Sequence, residues 1–127
     1  MVVVLIDTSV WVNHFRQSDK TLVSLIEMDF ALTHPLVIAE LACGTPPEPR
    51  RQTLADLALL QHANQATLPE VMAFVEREKL FGLGCGVVDM LLLASTLLTP
   101  NAKLWTDDKR LTALAERFNV RYESSVH

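Results

Sequence analysis

Apolar positions along the chain alternate between short continuous runs and longer stretches of helical spacing. Val2 to Ile6 is unbroken and rich in β-branched residues, the pattern of a strand covered on both faces, and Asp7-Thr8 then supplies an N-cap for a short helix through about Phe15. Asp19 caps a predicted second helix to about Met28, and Phe30 to Thr33 reads as a short strand. Pro35 stands at the first position of a helix that runs through Cys43 and is ended by Gly44. After the loop Thr45 to Pro49, Arg50 to Ala63 and Leu68 to Leu80 carry amphipathic helical spacing, and Thr67-Leu68-Pro69-Glu70 fits a capping box for the second. Gly82 to Gly86 predicts a turn, Val87 to Leu98 an apolar helix and Thr99-Pro100-Asn101 a loop. Lys103 to Thr106 predicts a strand, Asp107/Asp108 to Phe118 a helix, and Val120 to Tyr122 a short final strand.

Strands separated by helices need crossover connections, so the pattern predicts an α/β fold with a mostly parallel sheet and helices on both faces. Residues 1–127 show no internal repeat and no linker, and read as a single domain. Ligands in such folds sit at the carboxyl ends of the strands.

Composition narrows this further. At 127 residues, with 50% hydrophobic and 20% charged residues and only 4 Gly and 6 Pro, the chain is expected to build a core, which excludes disordered and low-complexity classes. The net charge of −4 provides no bulk positive field for gathering phosphates, so any contact with a polyanion must be local or metal-mediated. Cys43 and Cys85 have neither disulfide-framework nor zinc-ligand spacing and are expected to be small buried hydrophobes. The start lacks a basic region and a signal-cleavage site, which makes the cytoplasm the expected compartment. The apolar stretch Leu80 to Leu98 is interrupted by Gly82, Gly84, Gly86 and Asp89, and so reads as a buried helix and not a membrane span.

The acids carry the chemical information. Glu40 is the only polar side chain in Pro35 to Cys43, and Asp89 the only charge between Phe81 and Leu98, so both are expected to be buried with no Lys or Arg nearby in sequence. An unpaired buried carboxylate costs several kcal/mol, and each therefore needs a cation, a metal, a proton or a route to water. Asp7 and the pair Asp107-Asp108 fall at the carboxyl edge of the predicted sheet. If Glu40 and Asp89 face that edge, the convergence of acids favours a divalent ion, and an all-oxygen site suits Mg²⁺ or Mn²⁺ and a phosphate-ester substrate.

Structural readings stand beside these. Asp7 and Asp107 are well placed as helix N-caps. The glycine run Gly82 to Gly86 lacks the Lys-Ser/Thr of a phosphate-binding loop and reads as a tight turn. His14, His34, His62 and His127 are scattered without evident partners, and Trp11 and Phe15 read as core or subunit-interface residues before base-stacking platforms.

At these residues the sequence resembles the PIN-domain ribonucleases, and among them the VapC-type toxins of bacterial toxin–antitoxin pairs. The motifs run in order: Leu5-Ile6-Asp7-Thr8-Ser9; Ile38-Ala39-Glu40-Leu41 with Gly44; Gly84-Cys85-Gly86-Val87-Val88-Asp89 into Leu91 to Ser95; and Leu104 to Leu111. The resemblance implies an α/β/α sandwich, an acidic Mg²⁺ or Mn²⁺ site, cleavage of RNA, a homodimer and inhibition by a cognate antitoxin. Position by position it implies Asp7, Glu40, Asp89 and Asp108 as catalytic acids, with Asp7, Asp89 and Asp108 holding metal, and Ser9 and Thr106 as hydroxyls that orient carboxylates or water. Asp107 remains an alternative to Asp108, being the better N-cap by position. Phosphates outside the pocket have Arg50, Arg51, Lys103, Lys109, Arg110 and Arg117 available. Competing classes are a PIN-fold nuclease of RNA processing or structure-specific DNA cleavage, a receiver-like metal-binding module, and a catalytically silent acidic interaction domain.

Overall fold

A computed structural model describes residues 1–124; His127 lies outside the described residues. The elements are β1 (Val3–Ile6), α1 (Thr8–Arg16), α2 (Lys20–Glu27), β2 (Ala31–Thr33), α3 (Pro35–Cys43), α4 (Arg50–Ala58), β3 (Gln61–His62), α5 (Leu68–Glu78), α6 (Val87–Leu98), β4 (Ala102–Trp105) and α7 (Lys109–Arg117). The strands form one sheet in the order β3-β2-β1-β4, and every pairing is parallel. Helices α1, α3 and α4 contact one another in sequence, as do α5, α6 and α7, giving the α/β/α arrangement.

Val4, Leu5 and Ile6 are fully buried, as expected for a central strand with helices over both faces. The register pairs Leu5 with Leu32 on one side and with Leu104 on the other, and Ile6 with Trp105. Because all strands point the same way, Asp7 and Thr106 leave the sheet side by side, and the Asp7 N–H donates to the Trp105 carbonyl at 2.9 Å. The chain walks from β1 to β2 to β3 in one direction and then returns to the other flank of β1 as β4. The crevice beyond β1 and β4 is therefore the topological switch point, where ligands of open α/β sheets bind.

Caps terminate the helices largely where the sequence places them. Asp19 accepts from the Leu22 N–H at 3.1 Å, and the box on α5 is closed by Thr67 N–H to Glu70 at 2.9 Å and Glu70 N–H to Thr67 Oγ1 at 3.3 Å. Those bonds hold the exposed Glu70 carboxyl below its ordinary range. Three expectations need correction. The helix predicted over Arg50 to Ala63 stops at Ala58, because Gln61 and His62 pair with Leu32 and Thr33 and the Ala63 N–H donates to Thr33 at 2.9 Å. Edge pairing with β2 outweighs local helical spacing there. The strand predicted over Val120 to Tyr122 reduces to a single parallel bridge, Leu104 with Arg121. Neither cysteine is a core residue, since Cys43 is exposed at the last turn of α3 and Cys85 half-buried. Among the described residues no helix is long and apolar enough to cross a membrane; the apolar stretch after the glycine turn is the 12-residue α6.

Candidate active site

At the end of β1, Asp7 is 6% exposed and fixed through one oxygen. Its Oδ2 accepts from Ser9 Oγ at 2.7 Å and Thr106 Oγ1 at 2.8 Å, with the Ser9 N–H more distant at 3.4 Å. Oδ1 takes no hydrogen bond among the described residues. Asp7 thus caps α1 weakly and is held mainly by two hydroxyls, one from its own helix and one from the end of β4. Thr106 also accepts from the Asp108 N–H at 3.1 Å, so one hydroxyl couples the ends of β1 and β4 to the entry of α7.

The doublet after β4 divides its labour, and not as its positions suggested. Asp108, not Asp107, is the N-cap of α7: its Oδ1 accepts from the Leu111 N–H at 2.9 Å. The turn at Thr106 delays the helix by one residue, and Asp108 Oδ2 stays without a hydrogen bond among the described residues. Asp107 is exposed and points elsewhere, accepting from Asn13 Nδ2 at 2.6 Å while its N–H donates to Ser9 Oγ at 3.0 Å.

Glu40 is exposed, contrary to the buried position that its apolar neighbours suggested. Only Val37 and Leu41 of α3 are buried, and Pro35, Ala39, Glu40 and Cys43 lie open to solvent, because the helix packs through one narrow face. Thr8 Oγ1 donates to Glu40 Oε1 at 2.6 Å and so ties the first turn of α1 to α3. Asp89 is half-buried in the first turn of α6. Burial pushes its carboxyl above the ordinary range, and the charges of Asp7, Asp108 and Glu40 add to the rise, eased by the backbone N–H of Gly86. The charges of Asp7, Asp108 and Glu40 are therefore all felt at Asp89 across the switch-point crevice.

No cation answers these charges within the described residues, where the ion pairs are Arg77 with Glu78 and Arg121 with Glu116. Nor are any three acidic, thiol or imidazole groups drawn close enough to grip an ion as they stand. Mutual repulsion keeps uncompensated carboxylates apart. The neighbouring Cys85 thiol is pushed up, first by burial and then by Asp89 and Asp108, which leaves it protonated and a poor ligand at neutral pH.

Sequence reasoning missed three supporting residues and offered a fourth, Arg110, only to phosphates. Thr8 and Asn13 orient Glu40 and Asp107; their signal was position alone, on the exposed turns that follow Asp7. His34, read as partnerless, is buried and caps α3: Nδ1 accepts from the Leu36 N–H at 3.0 Å, and Nε2 lies 3.3 Å from Ser95 Oγ on α6. Ser95 in turn accepts from the Ala66 N–H at 3.0 Å, so this chain of bonds joins the helices that carry Glu40 and Asp89. The position before Pro35 was the available signal. Arg110 lies over the glycine turn and donates to the Gly84 carbonyl at 3.3 Å. Gly84 has φ +85°, so the turn needs glycine for its backbone; a Cβ there would stand 2.6 Å from the guanidinium, a contact the flexible Arg110 side chain can relieve by moving.

The model of the PIN domain family matches residues 4–117. Over 123 residues, 97% of this chain and 98% of the relative, the sequence is 44% identical to Ribonuclease VapC32 of Mycobacterium tuberculosis, in both the CDC 1551 / Oshkosh and the ATCC 25618 / H37Rv strains.

Proposed function

The chain belongs to the PIN domain family, and from that premise we propose that it is an endoribonuclease toxin of the VapC type, hydrolysing RNA phosphodiester bonds with Mg²⁺ or Mn²⁺. The observation that carries this reading is the setting of Asp89: burial first, and then the charges of Asp7, Asp108 and Glu40, raise its carboxyl, and none of these acids is in an ion pair among the described residues.

The donor set fits a hard divalent ion. Asp7, Asp89 and Asp108 offer only oxygen, and among the described residues Asp7 and Asp108 each keep one oxygen free of hydrogen bonds while the other is anchored. These three would hold the ion, with Glu40, whose charge is felt at Asp89, acting beside them. A bound divalent ion would supply activation of water and neutralisation of charge on the phosphoryl oxygens. The protein's own part is positioning. Ser9 and Thr106 lock Asp7, the Asp108 side chain is fixed by its capping bond, and Thr8 fixes one Glu40 oxygen while the other is available to take a proton from the attacking water.

The same reading includes a cognate antitoxin that meets the acids with a basic side chain, a homodimer and a cytoplasmic site of action. Support for a protein-covered face comes from the exposed apolar residues Met72, Phe81 and Val87 around the groove between α5 and α6. Cleavage of single-stranded RNA by the purified, partner-free protein tests the function. It should require Mg²⁺ or Mn²⁺, and equal cleavage in excess chelator would refute it.

A further inference from the structure

A second groove, of about 340 Å³, opens from Glu40 and runs between α1 and the loop that follows α3. Thr8, Val12, Phe15 and Arg16 line one wall at helical spacing, and Glu40 and Pro46 stand on the other. Trp11 and Phe15 were expected to be core or subunit-interface residues: Trp11 is 3% exposed within the core, while Phe15 packs against it half-buried, its ring 6.0 Å from that of Trp11, and also lines the groove. Arg16 is exposed and makes no ion pair or hydrogen bond among the described residues. From Thr8 to Arg16 the groove spans about 12 Å along the helix axis.

Its chemistry therefore changes in order along its length: a carboxylate shared with the acid site, an apolar stretch with an aromatic ring and a proline, then an unpaired guanidinium. That is the order of a single-stranded nucleotide leaving the reacting phosphate, with base and sugar in the middle and the next phosphate at the end. Size agrees. Small-ligand pockets begin near ~300 Å³, which this groove reaches. We propose that the groove is a nucleotide subsite flanking the cleavage point, in which one RNA base packs on the half-buried Phe15 and the adjoining phosphate pairs with Arg16. This rests on the ribonuclease reading and names where that enzyme grips its substrate.

Two measurements test it on the full chain with Phe15→Leu, which keeps bulk and removes the aromatic face, Arg16→Gln, and Lys79→Gln as an exposed cation control at the C-cap of α5. Steady-state cleavage of a fluorogenic RNA octamer with Mg²⁺ should show KM raised about tenfold in the two groove variants, with kcat within about twofold and the control unchanged. Anisotropy of a labelled RNA octamer in chelator should show a matching loss of affinity, and Arg16→Gln should flatten the salt dependence by about 0.7 of a log unit per log unit of salt. Folded groove variants that match wild type in both measurements overturn the subsite and leave the ribonuclease intact. Binding that depends on the groove in a protein that never cleaves keeps the subsite and removes the ribonuclease. An equal loss in Lys79→Gln, or unchanged RNA affinity alongside lost binding of an antitoxin peptide, also overturns the proposal.

Discussion

The Thr106 hydroxyl donates to Oδ2 of Asp7 at 2.8 Å, joining the last residue positioned by β4 to the acid that ends β1. Thr106 Oγ1 also accepts from the Asp108 N–H, so a single side chain sets the spacing of two of the proposed metal ligands. Thr106→Val keeps the shape and removes both bonds. RNA cleavage should fall about 10- to 100-fold, the usual cost of losing a partner that orients a ligand, with the required Mg²⁺ concentration raised. Wild-type activity and metal dependence in a folded Thr106→Val variant would separate this hydroxyl from the chemistry.

Asp89 separates catalysis from architecture. Its folded-state pKa is raised, so its contribution to stability is fully present below the unfolded value of about 3.9 and is lost as pH rises through the folded value. At neutral pH without metal its charge is a cost, and Asp89→Asn should melt at the same temperature as wild type or higher. Cleavage should drop by more than a hundredfold, beyond the range of an orienting partner. A variant destabilised by about 1–3 kcal/mol that still cuts RNA would mark Asp89 as a structural group whose partner had been orphaned.

His34 gives the fold a pH dependence of the opposite sign. Burial, and then repulsion from His62, hold its pKa below the ordinary value. The unfolded chain then takes up a proton before the folded one does, so the stabilisation is present above about pH 6.5 and is lost as pH falls through the folded value. His34→Asn keeps a capping acceptor and cannot titrate. The melting temperature of wild type should decline relative to His34→Asn between about pH 7.5 and 5.5, and a constant difference across that range would contradict the assignment. Carboxylate effects, Asp89 included, are common to both proteins and cancel in the comparison.

An antitoxin bound over the acids should bring an Arg or Lys to within hydrogen-bond distance of Asp7, Asp89 or Asp108, because a charge-assisted contact replaces the missing cation. Such a complex should resist activation by Mg²⁺ until the partner is removed. A structure of the complex with neither cation nor basic group near these acids would refute this mode of inhibition.

Local chemistry sufficed for much of the fold. An unbroken apolar strand, caps at Asp19 and Thr67, Pro35 at a helix start and Gly44 at its end are short-range signals, and they survive folding because the sheet does not oppose them. The isolated acids Glu40 and Asp89 were likewise visible as charges out of place in apolar runs, and the ordered motifs named the family. What depended on tertiary structure was every feature set by a neighbour distant in sequence. The edge pairing that made Gln61-His62 a strand, the single narrow contact face that left Glu40 in solvent and the turn at Thr106 that moved the cap from Asp107 to Asp108 are of this kind. So is the bonding of Ser9, Thr8 and His34, whose partners lie 97, 32 and 61 residues away. A hydrophobic pattern states which positions seek cover, but a hydrogen bond about 3 Å long needs its partner's position, and only the packed sheet and its helices supply that.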